Sequence, residues 1–352
     1  MYRILTINPG STSTKIGIFE DETLIREFNL FHPSEELKKY PDIDSEMEFR
    51  RNVIVSALEE AKMDLHTFSA ISCRGGIIKH IPSGTYLINE AVLYDSRHSQ
   101  FKHPSNLAAL IGHSLGQKYG LKAYITNPPS TLEADPIALV TGLPFIERPM
   151  TFHALNHKAI AKKHCLLQGI EYNKSTLIVA HLGGGASIGI HHLGRVIDVS
   201  DAMGEGPFTP ERSGALPAKQ VIDECFSGKY DHQTFLKFLR GNAGFQAYLG
   251  TNDMREVLKM IDAGNEKARF YFDAYVYQVA KEIGAMATVR QGHIDAILIT
   301  GGIAKSRLFI DEVKKRVEFI APVFVYPGEE ELQALNYGVL YVLRGEEPAL
   351  EY

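Results

Sequence analysis

The chain has 352 residues, of which 45% are hydrophobic and 22% are charged, a composition typical of globular proteins and a length that favours two domains. Lysine and arginine number 37 against 42 for aspartate and glutamate, and no basic block stands out, so nucleic acid is not expected as a partner. Three cysteines without paired spacing argue against disulfides and thiolate metal sites. Without a signal-peptide pattern or a bilayer-length apolar run, we expect a cytoplasmic protein and no membrane partner.

The first predicted element is a hairpin over residues 4–19. Two apolar runs flank the turn Pro9-Gly-Ser-Thr-Ser13, and the second run contains the triplet Ile-Gly-Ile. Glycines and hydroxyls in such a turn offer backbone N–H groups to an anion, although a single turn of this kind is usually structural. The elements predicted next are a charged linker (33–48), an amphipathic helix (47–62), a strand (70–73), a helix with Ser105 as its cap (to 119) and a strand (121–125).

A second hairpin with the same pattern occupies residues 178–190. Its turn is Gly183-Gly-Gly185, and its second apolar run again ends in Ile-Gly-Ile. A helix over 152–167 precedes it. The elements predicted after it are a strand (196–198), an aperiodic loop (204–214), a long helix (266–290), a strand (294–300), a strand (323–325) and a last helix (330–343).

The repeated hairpin predicts an α/β fold of two duplicated domains, with two phosphate-facing turns that look into one cleft. We expect the first domain over residues 1–149 and the second, nucleotide-binding domain over 150–332. The last helix, about 333–352, is expected to pack back on the first domain. The long helix near 266–290 is either core or an oligomer interface.

Three glycine turns are candidates for binding phosphate: the turn at residues 9–13, Gly183–Gly185, and the pair Gly301 and Gly302 at a strand-to-helix junction. No GxxxxGK[S/T] sequence is present, which excludes a P-loop. Singly each turn is more often structural, but three together favour nucleotide binding.

Charged side chains beside these turns have a functional and an ordinary interpretation. Arg74 and Arg212 fit phosphate or carboxylate oxygens, although a loop arginine is usually solvated, and Lys15 is a phosphate contact or an exposed lysine. His153 lies four residues before His157, a spacing compatible with zinc, but hydrogen-bonded structural histidines are the better interpretation. The remaining candidates are His103 and His181 as phosphate donors, His191 and His192 as a surface pair, and Glu329 to Glu331 as helix-terminal charge or a Mg²⁺ ligand.

Seven motifs together resemble the acetate kinase family in their order along nearly the whole chain. They are Asn8-Pro-Gly-Ser-Thr-Ser-Thr-Lys15, Arg74-Gly-Gly76, His103-Pro-Ser-Asn106, Phe152-His-Ala-Leu-Asn-His157, His181-Leu-Gly-Gly-Gly185, Pro210-Glu-Arg-Ser-Gly214 and Thr300-Gly-Gly-Ile-Ala304. Gly184, the loop before Gly214 and the chain length resemble the butyrate kinase branch of that family.

The resemblance implies a ribonuclease-H-like fold of the actin-like ATPase type and phosphorylation of butyrate by ATP. It also implies Mg²⁺, ADP and acyl phosphate as reaction partners and an assembly of two or more copies. It implies phosphate or Mg²⁺ contacts for Asn8, Ser11 and Lys15, and Mg²⁺ binding for Glu331. It implies that Arg74 and Arg212 bind the carboxylate and the γ-phosphoryl group, and that His153 and His181 stabilise the phosphoryl group during transfer. The implied nucleotide contacts are Gly183, Gly184, Gly185, Gly301 and Gly302.

One position departs from the family pattern. Asn127 stands where the family usually has an aspartate, and Glu133 is a hypothetical substitute for it. A carboxylate substrate is already ionised at neutral pH and needs no general base, so the departure weakens a sugar-kinase interpretation more than an acyl-kinase one. The alternatives are another short-chain acid (acetate, propionate or isobutyrate), a nucleotide-dependent conformational module like Hsp70 or actin, and a paralogue of low activity.

Overall fold

The computed structural model describes residues 1–99 and 103–352. The strands are β1 (Arg3–Pro9), β2 (Ser13–Glu20), β3 (Thr23–Phe31), β4 (Ala70–Arg74), β5 (Thr85–Leu87), β6 (Lys122–Thr126), β7 (Thr176–Leu182), β8 (Ala186–His192), β9 (Arg195–Val199), β10 (Ala296–Gly301), β11 (Val323–Pro327) and β12 (Ala349–Leu350). The α-helices are α1 (Ser34–Leu37), α2 (Ile43–Glu60), α3 (Glu90–His98), α4 (Asn106–Tyr119), α5 (Pro136–Leu139), α6 (Ala154–Gln168), α7 (Ala218–Cys225), α8 (His232–Leu239), α9 (Gly244–Leu249), α10 (Met254–Asp262), α11 (Glu266–Thr288), α12 (Arg307–Val317) and α13 (Glu331–Arg344). Within the described residues, no helix combines the length and the apolarity that crossing a membrane requires.

The chain divides into two compact units. The first unit consists of Met1–Leu132, Ala154–Asn156 and Glu330–Tyr352, and the second consists of Glu133–His153 and His157–Glu329. The main division therefore falls at 132/133, before the expected position at 149/150, and the last helix belongs to the first unit.

The sheets of the two units repeat one topology. The first unit contains the order β3-β2-β1-β4-β6, and the second contains β9-β8-β7-β10-β11. In each, the first three strands pair antiparallel and the last two are parallel. Even the irregularity in register recurs, between Ile18 and Phe19 in β2 and between Ile190 and His191 in β8. The prediction of a duplicated α/β domain is confirmed.

Helices cover both faces of each sheet, which explains why its central strands are apolar on both sides. In the first unit, α2 and α4 pack against Leu5 and Ile7, while α13 packs against Ile4 on the opposite face. In the second unit, α11 packs against Ile178, and α6 packs against Leu177 on the opposite face.

The apolar side of α11 is core. Phe272, Val276, Val279 and Ile283 are each at most 2% exposed and belong to the main apolar cluster of the second unit. Since burial within one unit already uses this face, it does not provide the oligomer interface that the sequence left open.

Three local predictions differ from the structure. Strand β3 was not predicted, because it is a mostly exposed edge strand without an apolar run. The presumed linker over 33–48 contains α1 and the start of α2, which Asp42 caps by accepting a hydrogen bond from the Ser45 N–H. Ser105 is not a side-chain cap: its backbone is helical, and its hydroxyl lies 2.6 Å from Nδ1 of His103.

Candidate active site

Four polar side chains of the first unit form one cluster, which we call the Arg74 cluster: Asn8, Arg74, Asn156 and Glu331. Arg74 follows the last apolar residue of β4 and forms an ion pair with Glu331, the first residue of α13. The Asn8 amide donates to Oε2 of Glu331 at 2.5 Å, and the Asn156 amide donates to Oε1 at 3.2 Å. The sequence predicted Asn8, Arg74 and Glu331 as separate site residues, and the fold brings them together.

The position of the Arg74 cluster follows from strand ends. Asn8 is the next-to-last residue of β1, and β1 runs parallel to β4, so Asn8 and Arg74 emerge at the same edge of the sheet. Nη1 of Arg74 lies 3.4 Å from Oδ1 of Asn8. The side chains of Arg74 and Glu331 are only 21% and 14% exposed, so their attraction is little weakened by water.

The Arg74 cluster could supply only part of the coordination shell of a Mg²⁺ ion. It contains one carboxylate next to an asparagine amide, which are oxygen donors that Mg²⁺ accepts. No group of three or more His, Cys, Asp or Glu side chains within the described residues is arranged to hold a metal ion. The donor set therefore fits an ion that takes most of its ligands from water and phosphate, which is the usual habit of Mg²⁺.

The hairpin turn of the first unit is held from behind by an arginine that sequence reasoning missed. Arg50 of α2 is fully buried and donates to the carbonyl oxygens of Gly10 at 2.8 Å, Ser11 at 3.1 Å and Ser13 at 3.1 Å. Its charge is paired with Glu46 at 2.7 Å. Three carbonyls are thereby satisfied on the protein side of the turn. Ser11 and Lys15 are exposed on this hairpin, and Lys15 is the cross-strand partner of Asn8.

In the second unit, His153 and His181 lie side by side. His153 directly precedes α6, and His181 is the next-to-last residue of β7. Their ring centroids are 4.5 Å apart. His181 is 2% exposed, and its Nε2 lies 3.7 Å from Oε1 of Glu329. The predicted histidines therefore form a pair of imidazoles beside the second glycine turn.

Arg212 is packed against that turn. An added Cβ at Gly185 would lie 2.4 Å from Nη1 of Arg212, so a larger residue there would displace the guanidinium. Thr209 fixes the loop by donating to the Gly184 carbonyl at 2.5 Å, and Nη1 of Arg212 donates to the Ala202 carbonyl at 2.7 Å. Burial lowers the pKa of Arg212 from its ordinary value, but an arginine side chain is not deprotonated in proteins, so the group is a cation at the turn.

The last glycine pair shows two different roles. Gly301 ends β10 with φ of +93°, and an added Cβ would lie 2.2 Å from the carbonyl oxygen of Leu182, so the glycine is required by the close approach of two strands. Apart from the neighbouring backbone, no atom lies within 4 Å of the Cβ position of Gly302, so the space beside this residue is open. A short 3₁₀ helix, Gly302–Lys305, follows.

His157 is held by hydrogen bonds inside the second unit. This side chain is fully buried, and its Nε2 lies 3.0 Å from the Ser187 hydroxyl oxygen. That oxygen also lies 2.8 Å from Nδ1 of His153. The expectation that His191 and His192 form a surface pair is wrong for His191, which is 0% exposed. Helix α6 covers the face of β8 that carries His191, and this coverage is a tertiary contact that the local sequence does not specify.

Asn127 anchors a loop of the first unit. Its backbone has φ of +42°, a conformation that asparagine tolerates better than most residues. Its Oδ1 accepts hydrogen bonds from the Ser83 hydroxyl at 2.7 Å and the Gly84 N–H at 2.8 Å. The amide oxygen is therefore used inside the protein, in a role that needs an acceptor and no negative charge.

Glu133 does not have the surroundings of a substitute for an aspartate. Its carboxylate forms an ion pair with Lys158 at 2.5 Å and accepts from the Val196 N–H at 3.0 Å. Both side chains are nearly buried, at 11% and 4% exposure. We therefore assign Glu133 to the packing of the second unit.

Two units with the strand order of a ribonuclease-H-like domain, each with a glycine-rich hairpin turn, define the chain as a protein of the actin-like ATPase fold. The structure of acetate kinase from Porphyromonas gingivalis has this fold, with a TM-score of 0.83 at 20% identity over 97% of this chain and 100% of that one. The model of the acetokinase family matches residues 144–321. The chain belongs to the acetokinase family.

Two relatives match it from end to end. Butyrate kinase 1 of Clostridium acetobutylicum is 45% identical over 354 residues, which cover 100% of both chains. A protein of Clostridium botulinum named probable butyrate kinase is 44% identical over 353 residues, covering 100% of this chain and 99% of its own.

Proposed function

We propose that the protein transfers the γ-phosphoryl group of ATP to butyrate and produces butanoyl phosphate and ADP in a reversible reaction. A carboxylate oxygen of the acid forms a bond to the γ-phosphorus while the bond from that phosphorus to the β–γ bridging oxygen breaks, and the electron pair leaves with ADP. The names of the end-to-end relatives support butyrate as the acid. Isobutyrate, propionate and acetate are the alternatives, because one methylene changes binding by only about 1–3 kcal/mol.

The observation that carries the proposal is the Arg74 cluster. Its carboxylate, Glu331, accepts from a guanidinium and two amides, which is the setting of a fixed anion and not of a base that exchanges protons. A carboxylic acid substrate is ionised at neutral pH and needs no base. The arrangement thus supports a reaction whose nucleophile arrives already deprotonated.

Each unit supplies different groups to this reaction. In the first unit, Arg74 binds the substrate carboxylate, Ser11 and Lys15 contact phosphate, and Asn8 with Glu331 would hold Mg²⁺, which would neutralise phosphate charge. In the second unit, His153, His181 and Arg212 stabilise the charge on the phosphoryl oxygens during transfer. Gly183 to Gly185 and Gly301 to Gly302 accommodate the nucleotide phosphates.

An acyl-hydroxamate assay tests the proposal. Acetate, propionate, butyrate, isobutyrate and valerate are each supplied with ATP and Mg²⁺, and we expect the largest kcat/KM with butyrate. Arg74→Ala removes the grip on the carboxylate and is expected to abolish the product. Arg307→Ala is the matched control, because that arginine is 94% exposed on α12. Product formation by Arg74→Ala at the rate of the control would contradict the proposal.

The metal assignment has its own test. Glu331→Gln is expected to raise the Mg²⁺ concentration needed for half-maximal rate, because it removes the one carboxylate of the cluster. Titration of Mn²⁺ by electron paramagnetic resonance gives the metal affinity without turnover. An unchanged affinity in both measurements would remove Glu331 from the metal site.

A nucleotide-dependent conformational module is the second candidate, and the same fold supports it. It is the conclusion to adopt if ATP binds but no acid gives a product. The assembly of two or more copies stays a prediction, for which gel filtration with light scattering gives the mass directly.

A further inference from the structure

Behind His153, a continuous series of polar side chains crosses the interior of the second unit. We call it the relay, and it consists of Ser187, His157, His191 and Tyr172. From His153 the steps are Nδ1 to the Ser187 hydroxyl at 2.8 Å, that hydroxyl to Nε2 of His157 at 3.0 Å, Nδ1 of His157 to Nε2 of His191 at 3.3 Å, and Nδ1 of His191 to the Tyr172 hydroxyl at 2.8 Å. Nothing in the proposed reaction requires four polar groups at this depth.

The direction of the hydrogen bonds is set at His157. Its Nε2 lies 3.2 Å from the backbone carbonyl oxygen of Ser187 as well as near the hydroxyl. A carbonyl oxygen only accepts, so Nε2 carries the proton. Burial lowers the pKa of His157 to about 3, so the ring is neutral and its Nδ1 accepts.

From His157 the direction propagates to the far end of the relay. Because Nδ1 of His157 accepts, Nε2 of His191 donates. Burial holds the pKa of His191 well below its ordinary value, so this ring is also neutral and its Nδ1 accepts from Tyr172. Burial raises the pKa of Tyr172 well above its ordinary value, which keeps the donating proton on the hydroxyl.

The direction propagates equally to the near end. The Ser187 oxygen accepts from Nε2 of His157, and the backbone N–H of His153 points at the same oxygen from 3.4 Å. A hydroxyl has two acceptor positions and one proton. With both acceptor positions in use, the proton is directed to Nδ1 of His153 at 2.8 Å.

We propose that the relay keeps the proton of neutral His153 on Nε2, so that this ring presents a hydrogen-bond donor at the edge remote from Ser187. The relay residues are positioning residues, since they act only through His153. The value of this donor to phosphoryl transfer rests on the function proposed above. A ring with its proton on Nδ1 would instead present a lone pair, which repels phosphoryl oxygens.

Nuclear magnetic resonance reads the tautomer directly. Full-length protein labelled with ¹⁵N-histidine is measured by long-range ¹H–¹⁵N correlation near neutral pH, and His153→Gln identifies the His153 signals. We expect Nε2 of His153 to be the protonated nitrogen and Nδ1 the unprotonated one. A ring protonated on Nδ1 alone, or on both nitrogens through the whole neutral range, would overturn the proposal without any variant of the relay.

Variants separate positioning from simple packing. Ser187→Ala and His157→Leu remove a donor, and we expect each to move a measurable fraction of the proton of His153 to Nδ1. His157→Gln is the conservative rescue, because an amide can donate toward Ser187 and accept from His191, so it should retain the wild-type tautomer. His164→Gln is the matched control on the same helix, where the ring bonds to Tyr326 outside the relay. An unchanged tautomer in correctly folded Ser187→Ala would contradict the proposal.

Kinetics then connect the tautomer to the reaction. We expect His157→Leu to lower kcat about tenfold at unchanged KM for ATP, and His157→Gln to restore it. If the tautomer is as stated but no acid is phosphorylated, the relay stands and the proposed function fails. If acids are phosphorylated while the tautomer is the opposite one, the relay alone fails.

Discussion

The glycine-rich turns of the two units occupy the same place in the repeated sheet, yet an arginine contacts each of them in a different way. Arg50 and Arg212 both come from the segment between the third and fourth strands of the repeat. Arg50 is fully buried and donates hydrogen bonds to carbonyl oxygens of its turn. Arg212 lies against Gly185 and donates a hydrogen bond to the Ala202 carbonyl. Arg50 therefore stabilises the backbone of its turn, whereas Arg212 places a guanidinium beside its turn.

The side chains near the ends of β1 and β7, next to the two turns, also differ between the units. Asn8 and His181 are the next-to-last residues of β1 and β7, and each lies beside the start of a covering helix, which brings Glu331 to the first and His153 to the second. In the first unit a carboxylate, Glu331, pairs with the guanidinium of Arg74, and in the second unit two imidazoles, His153 and His181, lie together. Duplication thus supplied two copies of one frame, and side-chain replacement gave them different chemistry.

The largest expected effect is the loss of stability when Arg50 is replaced. Arg50→Met keeps the apolar stem but leaves Glu46 and three turn carbonyls without their donor, and we expect a loss of roughly 3–5 kcal/mol. Urea-induced unfolding measures it, with Arg307→Met as the exposed control. A loss below about 1 kcal/mol would show that the first turn does not depend on its arginine.

Arg212 should show the opposite balance between activity and stability. We expect Arg212→Gln to lower kcat roughly 10²–10³-fold, as removal of a donor to a developing charge does. Arg212→Lys should recover little, because an ammonium does not reproduce the planar fork. Steady-state kinetics and urea unfolding on the same samples provide the test. If the variant unfolds as easily as Arg50→Met, the contrast between the two arginines is wrong.

Neutral buried histidines give each unit the same dependence on pH. Burial lowers the pKa of His157 to about 3 and that of His32 in the first unit to about 4. Below an unfolded pKa of about 6.5 the unfolded chain binds protons that the folded chain does not, so stability falls with decreasing pH, by up to about 1.4 kcal/mol per pH unit for each group.

Removal of one such histidine should flatten that dependence. We expect His157→Gln to have a shallower fall of unfolding free energy between about pH 6 and about pH 4 than the wild type. The exposed His232→Gln should retain the wild-type slope. Urea unfolding across this range is the measurement, and equal slopes in all three proteins would contradict the buried neutral state.

The smallest effect compares single methyl groups in the two turns. In Gly185→Ala the new Cβ would displace the flexible end of Arg212, so we expect about a tenfold fall in kcat with little change in stability. In Gly10→Ala the nearest atoms lie at 3.6 Å and 3.7 Å, which is ordinary contact, and activity should be retained. Equal activity of the two variants would mean that Arg212 does not depend on its place beside Gly185.

The sequence predicted the repeat, and with it the fold, because the hairpin pattern is local: apolar runs, a glycine turn and Ile-Gly-Ile lie within twenty residues. Candidate site residues such as Arg74 and His181 were found for the same reason, since each lies at or next to the end of a strand that glycines follow. Arg50 was missed because an arginine within a charged helical segment looks solvated. His191 was misplaced because the face of a strand is exposed until a helix covers it.

By itself, then, the sequence determined the repeated hairpin of each unit and the candidate residues near the strand ends. Tertiary structure decided which of those residues meet: Glu331 joins Arg74 and Asn8 across more than 250 positions of sequence, and His157 connects to His153 through Ser187. The physical reason is that hydrogen bonds and ion pairs depend on distances of about 3 Å, which only packing of helices on the sheets establishes. Periodicity specifies which face a side chain occupies, and packing specifies its partner.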